Sequence, residues 1–340
     1  MIRAVIGIVV VVSVLSVAFV HHGHQLFERE GVPLAAGEWT DIAATVARHP
    51  LTAEASVDVP VQRGLLTYRG GLELKSEHPA FGGFSGFDVG ADGQSFTALS
   101  DRGFWLEGTL IHDVDGTLTD VSDLRMAPLT DDQGAALQGR AADSEGLHPT
   151  GEGFLVSFER EPRVAHYRRQ AAKPPVLDRI IVNYGALDHL RTNQSLEGVT
   201  RSERGQIIVG VQHNKDRPDQ HQFYRSPQDA FYLARTKPFY LTEIAFHRAR
   251  LFLLERHYSK KTGQMIRVSM ATVTGTDLPL ETSTPVELAR FDGSDRIDNF
   301  EGMALRTHDG RTQIFMISDD NFSGKQKTLL MQFDLSPGVE

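Results

Sequence analysis

An acidic residue followed by glycine recurs along this chain at the spacing of a structural repeat, and each copy opens an apolar run. The copies are Ser144-Glu145-Gly146-Leu147, Leu196-Glu197-Gly198-Val199 and Phe300-Glu301-Gly302-Met303. Phe84-Ser85-Gly86-Phe87 is a weaker relative, and Thr242-Glu243-Ile244-Ala245 keeps the acid without the glycine. Successive copies lie 60, 52, 46 and 58 residues apart, close to one four-stranded propeller blade. Carboxylates repeated at one position of every blade must lie on a ring around a shared axis.

The residues C-terminal to each copy point the same way. Apolar runs at Ser95–Ser100, Phe154–Phe158, Ile207–Val211, Leu251–Leu254 and Ile314–Ile317 end in Asp101-Arg102, Glu159-Arg160, Gln212, Glu255-Arg256 and Asp319-Asp320. Runs of this length between Gly, Asp and Asn turns read as β-hairpins. The start of the first strand of a hairpin lies beside the end of the second. Glu145 is therefore expected near Glu159, Glu243 near Glu255, and Glu301 near Asp319, all at one end of the molecule. The predicted fold class is all-β: a β-propeller with five visible repeats, five or six blades, closed by pairing of N- and C-terminal strands.

The remainder of the chain frames that domain. Arg3 precedes an apolar run from Ala4 to Val20 with a small-x-small site at Ser16-Val17-Ala18, so residues 1–20 read as a signal peptide or an uncleaved N-terminal anchor. Either reading puts the body of the protein outside the cytoplasm, periplasmic or secreted, with a possible membrane tether through residues 4–20. His21, His22 and His24 follow at that junction as solvated residues or a metal tether. Residues 21–56 read as a spacer, with a short amphipathic helix predicted from Trp39, Ile42 and Val46 and ended by Pro50. Residues 57–340 form the propeller domain. Leu65–Tyr68 and Leu72–Lys75 read as a strand pair ahead of the first repeat. The absence of cysteine excludes disulfides and thiolate chemistry. A net charge of −9 argues against nucleic acid as a partner.

Few chemistries survive the motif search. Gly83-Phe84-Ser85-Gly86-Phe87 ends in Phe, so it is no nucleophile elbow. The chain carries no His-Glu-x-x-His, phosphate loop or dinucleotide fingerprint. Carboxylates, a metal and activated water remain. Glu145, Glu197 and Glu301, joined by Asp319 and Asp320, are candidate ligands for a hard cation of the Ca²⁺ type, since separate blades can supply several oxygens. Without a cation such carboxylates repel. The bland alternative is that the acid-Gly pair makes a turn and caps a neighbouring blade. Asp101, Arg102, Glu145, Glu159, Arg160, Glu255 and Arg256 are candidate catalytic residues. Their arginines suit bidentate contacts to phosphate or carboxylate, or alternatively pair with acids between blades. Asp298-Asn299 offers further oxygens beside Glu301, and Asp319-Asp320-Asn321 is either a ligand cluster or an Asx turn. Among His148, His166, His213 and His257, His148 is the foremost candidate base.

These motifs together resemble the phytase-like family, the "esterase-like activity of phytase" group of exported bacterial proteins. The resemblance spans roughly residues 80 to 335. It rests on Phe84–Asp88 with Ser100–Gly103, Asp143–Leu147 with Ser157–Arg160, Leu196–Val199, Leu253–Arg256, Asn299–Met303 and Ser318–Asn321. It implies a propeller with an acidic site and phosphoester- or ester-hydrolysing activity. The chain departs from it at Ile244, where glycine is missing, and at Gln212, where other repeats carry an acid, so two or three blades are expected to hold the cation. The leading functional expectation is a Ca²⁺-dependent hydrolase of a small phosphorylated or ester substrate, with a lactonase or carboxylesterase as a close variant. The alternative is a non-catalytic envelope binding module with structural Ca²⁺.

Overall fold

Alternating and continuous apolar runs, too short for helices and bounded by turn residues, form the strands of this protein. The computed structural model describes residues 34–57, 59–187, 190, 195–272 and 284–339, all within one compact unit, Val32–Glu340. The apolar segment at 1–20 and His21, His22 and His24 lie outside the described residues.

Four strands precede the first repeat: β1 (Thr40–Asp41), β2 (Thr45–Arg48), β3 (Gln62–Arg63) and β4 (Leu66–Lys75). Blade 1 contains β5 (Phe84–Val89), β6 (Ser95–Ser100), β7 (Phe104–His112) and β8 (Leu118–Pro128), with β1 added outside β8. Blade 2 contains β9 (Ser144–Pro149), β10 (Gly153–Phe158), β11 (Arg163–Arg168) and β12 (Val176–Asn183). Blade 3 is β13 (Leu196–Arg201), β14 (Ile207–Val211), β15 (Gln220–Ser226) and β16 (Asp229–Ala234). Blade 4 is β17 (Tyr240–His247), β18 (Arg250–Ser259), β19 (Gly263–Thr272) and β20 (Val286–Phe291). Blade 5 takes β21 (Asn299–His308), β22 (Arg311–Asp319) and β23 (Thr328–Leu335), then β4 and β2 from the other end of the chain, with β3 against β4.

The innermost strands β5, β9, β13, β17 and β21 contact one another in a closed ring. The fold is an all-β, five-bladed propeller, and β4 against β23 closes it with strands from both ends of the chain. No sixth sheet occurs among the described residues. Each blade buries both faces, so the core is a set of wedges between neighbouring blades. Leu99, Trp105, Leu147 and Phe154 fill the junction of blades 1 and 2. Leu155, Val199 and Val209 fill that of blades 2 and 3, and Phe223, Ile244 and Leu253 that of blades 3 and 4.

Two local expectations need correction. The helix predicted around Trp39, Ile42 and Val46 is a pair of strands, β1 and β2, which belong to blades 1 and 5, so the spacer reading fails from Thr40 onward. Thr40, Ile42, Thr45 and Val46 are β-branched, and the outer edges of those blades offer backbone partners, such as Leu124 O at 2.8 Å from Ile42 N. Leu65–Tyr68 and Leu72–Lys75 are not a strand pair but, from Leu66 to Lys75, one strand. The intervening Gly70-Gly71 is no turn; a Cβ on Gly71 would lie 2.6 Å from Tyr68 Oη and 2.8 Å from His49 O.

Candidate active site

The acids Glu145, Glu197 and Glu301 occupy β-bulges, at the position where blade 1 has Ser85 and blade 4 has Thr242. In every blade the register between the innermost strand and its neighbour slips by one residue near the repeat. The slips fall between Phe84 and Gly86, Ser144 and Leu147, Leu196 and Val199, Leu241 and Glu243, and Phe300 and Gly302. A bulge re-aims the side chain it carries. Here it accompanies the turn of successive acids into one end of the central channel, the end where the innermost strands begin.

The glycine has a separate cause. A Cβ on Gly146 would lie 2.6 Å from Val199 N and 2.7 Å from Gly198 Cα, and one on Gly302 2.9 Å from Phe87 Cβ. Neighbouring innermost strands approach too closely for a side chain at these points. Hydroxyls clasp the same level: Ser85 Oγ donates to Ser144 O at 2.7 Å. Ser157 Oγ donates to Glu197 O while accepting the Gly146 N–H at 2.8 Å.

Three carboxylates of blade 2 and its approach converge. Asp143, Glu145 and Glu159 each bring one oxygen to within 4.8 Å of the others. Glu145 keeps a partial opening to solvent, and its carboxylate accepts no hydrogen bond from any described residue. Burial, then the charges of Glu197, Asp143, Glu159 and Glu301, push its pKa well above the carboxylate range. Burial and Asp143 push Glu159 up to about 8, although the Ser195 N–H donates to it at 3.3 Å. Burial with Asp143 and Glu301 pushes Asp101 up to about 8. Asp101 Oδ1 is buried without a hydrogen-bond partner among the described residues. Glu197 is raised by burial and by Glu159 and Glu301, and accepts from Gln212 Nε2 at 2.7 Å. Asp319 is raised by burial, Glu301 and Asp101. The charges of Glu197 and Glu301 thus act on Glu145, but neither belongs to the group whose oxygens lie within 4.8 Å of one another.

Arginines intersperse the acids. Arg256 Nη2 lies 3.1 Å from Glu301, and its Nη1 donates to Asn299 Oδ1 at 2.6 Å. Burial works against its charge, but Glu301, Glu197, Asp319 and Glu145 outweigh it and raise its pKa. Arg160 pairs with Asp143 at 3.0 Å. Arg102 stacks 3.3 Å over the Phe322 ring, on a loop where Asn321 and Phe322 hold φ of 49° and 48°. Two consecutive left-handed non-glycine residues cost roughly 1–2 kcal/mol each, a strain carried beside the mouth.

Several candidates are placed elsewhere. Glu255 does not reach the mouth. It is fully buried between blades 3 and 4, accepting from His221 Nε2 at 2.9 Å and Ser269 Oγ at 2.6 Å and pairing with Arg267. Neighbours on a strand face opposite sides, so Arg256 takes the axial side and Glu255 the inter-blade side. The expected Glu243–Glu255 pair therefore does not form. Glu243 is wholly buried: its Oε1 accepts the N–H of the adjoining Ile244 at 2.9 Å, and its Oε2 has no hydrogen-bond partner among the described residues. Asp320 ties the loop to blade 1, accepting from Gly83 N at 3.0 Å and Phe322 N at 2.9 Å. Asp298 accepts from Lys327 N at 2.9 Å. His148 lies farther along β9 against Thr200, with burial and Arg201 lowering its pKa to about 4.

Asp143 and Gln212 were not singled out from the sequence as site residues. A signal existed: Asp143–Glu145 and Asn299–Glu301 are spaced by two, the period that puts strand residues on one face. Asn299 contributes its amide rather than an oxygen to the acids, bridging Glu301 at 2.9 Å and Asp319 at 3.2 Å.

Among solved structures, a glutaminyl cyclase from Myxococcus xanthus is 14% identical, with 75% of this chain and 91% of that chain covered at a TM-score of 0.39. An α-L-arabinanase from Cellvibrio cellulosa, complexed with arabinohexaose, is 9% identical over 74% of this chain and 91% of that one, TM-score 0.44. An exo-1,5-α-L-arabinanase from a bovine ruminal metagenomic library is 11% identical, covering 73% and 92%, TM-score 0.42. No curated protein matches the chain. The family described as phytase-like, esterase-like activity of phytase, matches residues 79–322, and the chain belongs to that family.

Proposed function

We propose that this protein is a Ca²⁺-dependent hydrolase of phosphoesters, acting at the acidic mouth of the propeller. The observation that carries the reading is the trio Asp143, Glu145 and Glu159, with oxygens within 4.8 Å and a Glu145 carboxylate that no described donor satisfies. Like charges gathered this closely, with Arg160 beside Asp143 and the Ser195 N–H on Glu159 as partial relief, suit a hard cation. Asp143, Glu145 and Glu159 would hold it, with Asp101, Glu197 and Glu301 completing the oxygen-rich surround. When bound, Ca²⁺ would draw in substrate oxygens and acidify a water.

The chain's own residues supply the rest. Arg256, held in place by Glu301 and Asn299, presents a guanidinium to an anionic substrate among acids that would otherwise repel it. Arg160 does the same from the Asp143 side. Asp101, whose carboxyl is raised to about 8 by burial and by Asp143 and Glu301, would serve as the acid or base beside them. Export of the chain accompanies this reading, on the strength of the apolar run at residues 4–20.

The test assays phosphomonoesters, phosphodiesters and carboxylesters with excess chelator and with Ca²⁺ restored, for wild type and Glu145→Gln. Phosphoester turnover that disappears in chelator, returns with Ca²⁺ and is lost in the variant supports the reading. No turnover of any substrate, with Ca²⁺ raising only the melting temperature, would leave a binding module with structural Ca²⁺ instead.

A further inference from the structure

At the opposite end of blade 2 from the acidic mouth, three polar side chains form a hydrogen-bonded row that the reading above does not use. Thr150 follows β9 in the turn to β10, His166 lies in β11 and Asp178 in β12. Thr150 Oγ1 is 3.2 Å from His166 Nε2, and His166 Nδ1 is 3.1 Å from Asp178 Oδ2. A carboxylate only accepts, so Nδ1 carries the proton and Nε2 turns its lone pair to the threonine hydroxyl. His166 is 4% exposed, and contacts at both nitrogens fix its ring. The hydrogen bond from His166 leads the effects that hold the Asp178 carboxyl below its ordinary range.

This row meets a cavity. Thr150 and His166 line a space of about 410 Å³ between blades 2 and 3, with Leu155, Ile181 and Ile207 as apolar wall and Arg201 at its edge. Gly151, next in sequence to Thr150, has an N–H without an acceptor among the described residues. Gly151 also lines this cavity and is exposed. Arg201 Nε donates to Gly205 O at 2.8 Å, which anchors the guanidinium beside the cavity. A nucleophile in reach of a base, and a base oriented by a third group, is the arrangement that defines a covalent acyl-transfer site.

We propose that Thr150, His166 and Asp178 form a second, metal-independent site that hydrolyses carboxylic esters with a short apolar arm. Thr150 Oγ1 bonds to the ester carbonyl carbon as its proton passes to His166 Nε2. The C–O bond to the alcohol then breaks, and the departing alkoxide takes that proton. Water attacks the acyl-threonine, gives its proton to Nε2, and releases the carboxylic acid while Thr150 regains its hydrogen. Gly151 N–H and the Arg201 guanidinium are the donors for the oxyanion, and Leu155, Ile181 and Ile207 receive the apolar arm.

The experiment uses the full chain in excess chelator, which removes any contribution from the acidic mouth, with p-nitrophenyl butyrate as substrate and a fluorophosphonate probe. Wild type is expected to turn over the ester and to carry the probe on Thr150, located by mass spectrometry. Thr150→Val, which keeps the side-chain volume, is expected to lose label and at least ~100-fold in rate, while Thr150→Ser keeps both. Asp178→Asn is expected to lower kcat by ~10-fold or more with little change in KM. Circular dichroism melts within about 3 °C of wild type show that Thr150→Val remains folded. No chelator-resistant turnover and no label on Thr150 in wild type would overturn the proposal, leaving the row as a structural clasp. So would a folded Thr150→Val that keeps its rate. Neither result bears on the Ca²⁺-dependent reading of the mouth.

Discussion

Replacing Glu145 by glutamine tests the electrostatics of the mouth most directly, because the substitution keeps shape and removes only charge. Its oxygens lie within 4.8 Å of those of Asp143 and Glu159. At that distance and an effective dielectric of about 20, each pair of charges repels by roughly 3.5 kcal/mol. Two such neighbours give a gross repulsion of roughly 7 kcal/mol, which Arg160 and Arg256 offset in part and raised carboxyl pKa values relieve further. A net gain of about 1–3 kcal/mol in metal-free buffer remains. Glu145 accepts no described hydrogen bond, so glutamine forfeits none. For a domain of this size each kcal/mol moves the melting temperature by about 2–4 °C, so Glu145→Gln in chelator should melt roughly 3–8 °C above wild type. Calcium should then reverse the order. At a hundredfold excess over Kd, wild type should gain about 2.7 kcal/mol, and the variant should gain little. Calorimetric melts with and without Ca²⁺ measure both terms. A Glu145→Gln protein that melts lower in chelator, together with a wild type indifferent to Ca²⁺, would refute the argument.

Other outcomes depend on single contacts. Arg256→Gln should lower kcat/KM on a phosphomonoester by ~100-fold, and Arg256→Lys should not restore it, since the contacts to Glu301 and Asn299 use two guanidinium nitrogens. Burial acts to raise the Glu255 carboxyl, but His221, Arg267 and Ser269 hold it below its ordinary value of 4.5. A depressed acid stabilises the fold above its unfolded-state pKa, and that contribution is lost as pH falls through the folded value. Glu255→Gln should therefore cost about 3 kcal/mol at pH 7 and flatten the acid limb of the stability curve below about pH 4.5, read by urea titration across pH. Gly198→Ala places a Cβ against Glu243 Oε1 and Ile244 N, and should cost about 2–3 kcal/mol in a denaturant melt. Gly324→Ala, with open space around it, should stay within about 0.5 kcal/mol.

The propeller was legible because its signal repeats: five copies of one hairpin grammar specify five sheets even where single strands are ambiguous. The location of the mouth was legible too, since hairpin geometry places Glu145 by Glu159 and Glu301 by Asp319. The failures share a cause. Glu255-Arg256 reads like Glu159-Arg160, and which member faces the axis depends on a register that bulges shift, invisible in composition. Glu243 reads as a fifth copy of the repeated acid, but the register puts Thr242 at the bulged position and Glu243 where blades 1 and 5 have Gly86 and Gly302. The region around Trp39 carries helical spacing, yet unpaired blade edges elsewhere in the chain captured it as strand. Thr150, His166 and Asp178 lie on separate strands, and only the folded sheet brings them into one row.

Closure of blade 5 has a consequence for biogenesis. Strand β4 is made early, yet its partner β23 emerges only after the other four blades, and Lys327 bonds Glu73 across 254 residues of sequence. A nascent chain leaving the ribosome cannot latch that seam until all five blades have been made, which favours slow, all-or-none maturation. Clipping β23 should therefore do more than shave one strand from the product. It should expose the flanks of β4 and β22 and yield a species that recruits a second polypeptide or falls to proteases.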